Sequence, residues 1–273
     1  MTDRRIRRAV DSGELLRLRP GHYADATSDP TVRVAVASGG RLACVSELRH
    51  RGVWVLDSGE IHIHVPRTAA RLRTSGVRVH WRMPNDPDRA KPGHVSAVDA
   101  LIQASTCLDR YAWMASVDSA LQLGEIRRSD LPLIRAAIRR RDRGLLALVD
   151  ARAGSGLETI VRLIAHELGF RVRSQVFFPG IGRVDLLIEN WVVVETDGAA
   201  FHDVSLSARD RGRDSRLVAI GRAVLRPGYS LVVHDRAAVA RQLIGAVAAH
   251  RRVKDAGRIA ARARRRLKRL ESS

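Results

Sequence analysis

Residues 183–202 concentrate the side chains with the clearest chemical potential. Two short β-branched, apolar runs, 183–188 and 191–197, are parted by a polar break at Glu189-Asn190, yet they carry Asp185, Glu195 and Asp197. Strand interiors seldom carry acids, because a carboxylate on a half-buried pleated surface must be stripped of water. Strand alternation puts Glu195 and Asp197 on one face. If the loop around Asn190 has an odd number of residues, Asp185 stands opposite Glu195 and joins them. Each like-charge pair at about 4 Å and an effective dielectric near 20 costs on the order of 4 kcal/mol. A positive partner is therefore expected among the three, and a divalent cation held by oxygen ligands meets that need.

The flanking pattern supplies elements to hold these groups. Ser155-Gly156-Leu157-Glu158 opens a helix to about Leu168, with a stripe of Ile160, Leu163, Ile164 and Leu168, and Gly169 ends it. A strand over 170–178 precedes the hairpin. A polar helix over roughly 207–220, stopped by Gly221, leads to a strand at 223–226, and Asp235 can cap a last helix through His250. The resulting order is αβββαβα.

Several residues fall along that order in a recognisable set. They are Ser155-x-x-Glu158-x-x-x-Arg162, Arg183-Val184-Asp185, Glu195-x-Asp197-Gly198 with His202 four residues on, Asp210-Arg211-x-Arg213-Asp214-x-x-Leu217, Gly221 and Val224-Leu225-Arg226. Over about residues 153–250 this resembles the PD-(D/E)xK nuclease superfamily, and within it the branch related to very-short-patch-repair endonucleases. The resemblance implies a restriction-endonuclease-like α/β core and hydrolysis of DNA phosphodiester bonds with Mg²⁺ or Mn²⁺. Asp185 and Glu195 would be the metal ligands, and Asp197 would add a ligand or hold a water on the metal. His202 would act as general base or acid near neutral pH. Arg162, Arg183, Arg211 and Arg213 would contact phosphate. Asp197 occupies the position of the superfamily lysine, and no lysine lies between Lys91 and Lys254. In the very-short-patch-repair branch the lysine is also missing and a histidine after the glycine takes its place, which His202 fits. Glu158 has two readings, metal contact or partner in a Ser155-x-x-Glu158 capping box. Asp210 and Asp214 read as partners of arginines on their own helix.

The N-terminal part offers a different chemistry. Thr2 can cap a helix over 3–12 that Gly13 ends, and 15–19 leads through Pro20-Gly21 to His22-Tyr23 as strand, turn and strand. With its Ser-Gly-Glu-Leu-Leu-Arg-Leu-Arg-Pro-Gly-His-Tyr segment, the stretch Arg4–Tyr23 resembles the N-terminal winged helix of AbiEi-type antitoxins. In that family two helices normally precede this point, so either the true start lies upstream or the module is degenerate. Arg4, Arg5, Arg7, Arg8, Arg17 and Arg19 would then face nucleic acid. Asp29-Pro30 opens a helix to Ser38, and 41–51 reads as helical. Residues 61–65 alternate as a half-buried strand with 77–81 as partner. His62, His64 and His80 have no carboxylate or thiolate at ligand spacing, so they read as solvent-facing strand positions. Residues 84–94 form a turn-rich linker, and 95–152 a helical region with Trp113 and Met114 in its core. The chain thus divides into a partial winged-helix region (1–83), linker (84–94), helical region (95–152), nuclease domain (153–250) and basic arm (251–273).

Charge and composition narrow the partners. The net charge is +19, and residues 250–270 alone hold ten basic side chains against one acidic. Arg262, Arg264, Arg265 and Arg266 belong to that arm, read as a phosphate-binding segment that folds on contact. Duplex DNA is favoured over a membrane surface because no strong apolar face accompanies the arginines. Cys44 and Cys107 make neither a disulfide framework nor a CxxC pair, which points to a reducing cytosol. No apolar run approaches the ~18 residues of a membrane span. The expected function is a metal-dependent DNA endonuclease or nickase in DNA repair or defence against foreign DNA. The alternatives are a non-catalytic, antitoxin-like DNA-binding regulator and, third, an RNA-directed enzyme or toxin partner. A homodimer and a toxin–antitoxin pairing both stay open.

Overall fold

The computed structural model describes residues 3–56, 59–70, 72–196, 204–249 and 256–271; the side chains of 204–211 and 256–258 are not among them. The chain is mixed α/β, with three sheets among the described residues, and divides into compact units at 1–147 and 148–273.

The first unit begins with α1 (Asp3–Asp11) and the antiparallel hairpin β1 (Leu15–Arg19) and β2 (His22–Asp25), the helix and the two strands expected there. Helix α2 (Pro30–Ala37) starts at Asp29, whose carboxylate accepts from Thr31 N, with Pro30 in the first turn where a missing N–H costs nothing. Residues 41–51 are not one helix. β3 (Arg41–Leu42) pairs antiparallel with β4 (Ile61–Val65), and α3 (Cys44–His50) follows. β4 runs parallel to β5 (Val77–Trp81). One face of this sheet puts Ile63, Val65 and Val77 against Ala35 and Leu42 in an apolar core.

Residues 84–94 are pinned and do not behave as a loose linker. Asp99 accepts from the backbone of Asn85 and Asp86, and Leu42 N donates to Gly93 O at 2.7 Å. Helices α4 (Ala97–Ala104), α5 (Arg110–Gln122) and α6 (Leu131–Ala137) complete the unit. Trp113 and Met114 are buried as expected, with Trp113 Nε1 donating to Leu101 O.

The second unit follows the expected order, with one addition. After α7 (Gly156–Glu167) come β6 (Val172–Phe178), β7 (Gly182–Ile188) and β8 (Val192–Val194), then α8 (Val204–Ala219) and β9 (Ala223–Leu225). A short helix α9 (Tyr229–His234) precedes α10 (Arg236–Ala249), where Asp235 receives Ala238 N. The sheet order is β6-β7-β8-β9, antiparallel except for the parallel β8–β9 pair. Val184, Leu187, Val193 and Leu217 form an apolar cluster on it. The basic arm is the helix α11 (Ala256–Glu271), and it packs on α10. Ala260, Ala263 and Leu267 are buried, so this weak apolar stripe suffices to dock the arm without a polyanion.

Candidate active site

The β7–β8 register settles the first geometric question. Leu186, Leu187 and Ile188 pair with Val194, Val193 and Val192, leaving a three-residue loop, Glu189 to Trp191. An odd loop carries the same register to Asp185 opposite Glu195, and Glu195 N extends the parallel ladder by donating to Leu225 O. Asp185 is half-buried, and its Oδ2 accepts from Thr196 N at 2.8 Å and from Thr196 Oγ1 at 3.2 Å. Thr196 thereby fixes the rotation of that carboxylate.

Glu158 comes from the first turn of α7 and is 1% exposed. Ser155 Oγ caps the helix by accepting Glu158 N at 3.1 Å. The reciprocal half of a capping box is replaced by another contact. Glu158 Oε2 accepts from Gly154 N at 2.7 Å and from Gln175 Nε2 at 3.0 Å, while Oε1 is buried without a hydrogen-bond partner. Burial, and then the nearby Asp185 charge, push this carboxyl up to about 7, against the hydrogen bonds from Gly154 and Gln175.

The positive partner that the structure sets beside Glu195 is a guanidinium. Arg213 Nη2 of α8 lies 2.8 Å from Glu195 Oε1, an ion pair between partly buried groups. Burial pushes the Glu195 carboxyl up, Arg213 opposes this, and Asp185 adds to it. Arg213 therefore neutralises an acid, which differs from the expected phosphate contact. Asp197 and His202 lie outside the described residues, as does the Arg211 side chain.

Other expected site residues separate into groups. Arg183 is exposed on β7, two residues before Asp185 and so on its face. Arg162 is 3% exposed and its Nη1 donates to Leu148 O, so it braces the polypeptide from inside and corrects the phosphate-contact expectation. Asp214 pairs with Arg226 beyond β9 at 3.0 and 3.1 Å, correcting the expected pairing within its own helix. Arg4, Arg5, Arg7, Arg8 and Arg17 are exposed around α1 and β1, while Arg19 is half-buried and 3.0 Å from His22 Nε2. On α11, Arg262, Arg264 and Arg265 are exposed. Arg266 instead donates to Glu167 O at the end of α7, stacked where Gly169 leaves room.

Two features of the first and second units were not anticipated. Gln175, level with Asp185 between the pairs Ser174–Leu186 and Val176–Val184, sits at φ +55, a conformation that L side chains rarely adopt. That twist accompanies its hydrogen bond to Glu158. In the first unit, His62 and His64 are 2% and 4% exposed, so they are not solvent-facing. His62 and His80 lie with Cys44 and Cys107, all four donor atoms within 4.8 Å of one another. The thiolates that the local spacing lacked are brought in by tertiary packing.

No protein-family model matches the chain, and no curated protein matches it with significant similarity. Among the described residues no helix is long and apolar enough to cross a membrane.

Proposed function

We propose that residues 148–273 form a metal-dependent DNA endonuclease or nickase of the PD-(D/E)xK type, acting in the cytosol. The observation that carries this reading is that Asp185 falls opposite Glu195 in the β7–β8 register and lies close enough to both Glu158 and Glu195 for its charge to push their carboxyls up, in a unit ordered αβββαβ. The donor set suits a hard cation: it is all oxygen, and Oε1 of Glu158 is buried without a hydrogen bond. Asp185, Glu195 and Asp197 would hold Mg²⁺ or Mn²⁺. Such an ion supplies Lewis-acid stabilisation of the charge that builds on the phosphate and eases ionisation of the attacking water.

The chain's own residues do the rest. Thr196 holds Asp185 in one rotamer, so the ligand is preorganised. Glu158, half-protonated near pH 7, is suited to move a proton close to Asp185. Exposed arginines of α11 and of α1 and β1 attract the phosphate backbone and make binding steeply salt-dependent.

A second reading is favoured by one contact. Arg213 already neutralises Glu195, as a DNA-binding regulator that keeps the fold as a scaffold would require. Nicking of supercoiled plasmid in Mg²⁺ or Mn²⁺ separates the two. The nuclease reading expects cleavage that falls about 100-fold or more in Glu195→Gln, as for loss of one group that stabilises transition-state charge. Equal inactivity of wild type and Glu195→Gln, with salt-sensitive DNA binding retained by both, would establish the regulator.

A further inference from the structure

We propose that Cys44, His62, His80 and Cys107 form a structural zinc site in the first unit. This site is independent of the carboxylates and of any nuclease activity. The four residues come from the start of α3, from β4, from β5 and from the turn after α4. In the parallel β4–β5 register His62 pairs with Arg78 and His64 with His80, which places His62 and His80 on the same face, opposite the apolar core.

All four donor atoms lie within 4.8 Å of one another, close enough to share one ion. His62 Nδ1 lies 3.1 Å from His80 Nε2, and His80 Nε2 lies 3.9 Å from Cys107 Sγ. Zinc with ordinary Zn–N and Zn–S bonds needs donor separations of roughly 3.3–3.8 Å. Both pairs lie within a few tenths of an ångström of that range. Two cysteines and two histidines are the soft and borderline donors that select zinc over Mg²⁺. With both thiolates ionised, the Cys₂His₂ centre is neutral, which removes the cost of burying charge.

The surroundings are built to hold these donors. Cys44 sits at φ +52, in the left-handed region that L side chains rarely adopt. A cysteine kept in such a conformation indicates that its sulfur is used. Gln103 Oε1 accepts Cys44 N at 3.0 Å, and Ser46 Oγ accepts His62 N at 2.9 Å, tying α3 to α4 and β4. The far nitrogen of His62, Nε2, faces the Glu60 carboxylate at 3.8 Å, the arrangement by which a carboxylate orients a ligating imidazole. Both cysteines are free, so neither is committed to a disulfide. Four protein ligands close the coordination shell, which makes the role structural: the ion ties α3 and the α4–α5 turn onto the sheet.

The test uses full-length protein, purified in reductant without chelator or metal-affinity resin. Elemental analysis should find one zinc per chain. Co²⁺ added to metal-free protein should give tetrahedral d–d bands with thiolate-to-cobalt charge-transfer bands, saturating at one ion per chain. Cys107→Ala, in a half-exposed turn, and His80→Ala should each weaken binding by about 100-fold or more, while Glu195→Gln should keep the bands unchanged. The proposal is overturned if folded wild type binds neither ion, if the cobalt spectrum lacks the thiolate bands, or if both variants bind as tightly as wild type. It is also overturned if Cys107 is alkylated as fast in zinc-saturated protein as in metal-free protein.

Discussion

The two units gather potential metal ligands by opposite routes. In the second, a strand, a three-residue loop and a strand bring Asp185 opposite Glu195, and only Glu158 arrives from a separate element. In the first, Cys44, His62, His80 and Cys107 come from four elements spread over more than sixty residues, and tertiary packing alone joins them. The donors differ as much as the routes. One set is all oxygen with an arginine beside it; the other is sulfur and nitrogen, with the Glu60 carboxylate behind it. An incomplete oxygen set suits a cation that must also admit a substrate, whereas a closed Cys₂His₂ set suits one that only holds the fold.

Stripping metal should separate the two sites most widely. Removing zinc should cost the first unit about 4 kcal/mol when free Zn²⁺ had stood a thousandfold above its dissociation constant. Amide hydrogen exchange should accelerate in α3, β4 and β5 on chelation, while β7 and β8 keep their protection. Equal acceleration in both units would break the comparison, because the carboxylate hairpin would then depend on the same ion.

A smaller effect sharpens the carboxylate side. The folded chain keeps the Glu158 proton up to pH about 7, whereas an unperturbed glutamate releases it near 4.5. Stability from this group is therefore present below about 4.5 and is lost as pH rises to 7, a swing on the order of 3 kcal/mol. Glu158→Gln mimics the neutral acid at every pH. Its melting temperature in chelator should match wild type at pH 5 and exceed it at pH 8. Saturating Mg²⁺ at pH 8 should shrink that gain, because the ion's charge beside Asp185 favours the ionised Glu158 that only the wild type has. A pH-independent difference would mean that Glu158 is ionised throughout and acts only as a cap for Gly154.

What could be read from sequence follows the same division. Hairpin register is arithmetic: apolar runs flanking Glu189-Asn190 determine which acid faces which, and helix stops such as Gly169 and Gly221 bound the elements that support them. The twist at Gln175 could not be read, since nothing in its residue type announces a left-handed backbone. The alternation Ile61-His62-Ile63-His64-Val65 correctly indicated a strand but misled on exposure. Alternation shows that two faces differ, not that the polar one meets water, and here the histidines are buried. Arg213 follows the same rule: helix spacing shows where an arginine starts, and only the packing of α8 shows that its guanidinium ends 2.8 Å from Glu195.

Arg213 is also where the two functional readings diverge by the least energy. If the carboxylates hold a divalent cation, the guanidinium competes with it for Glu195, and removing this partly buried partner should help the ion. Arg213→Gln should then tighten Mg²⁺ binding by about tenfold, near 1.4 kcal/mol. The measurement is the shift of melting temperature with Mg²⁺ concentration at pH 8, compared with wild type. If the unit is a scaffold, the same change leaves a buried carboxylate uncompensated. The variant should then melt lower at every Mg²⁺ concentration and bind the ion no better. Pairing with Glu195→Gln completes the argument, since the double variant should lose both the tighter binding of the first case and the destabilisation of the second.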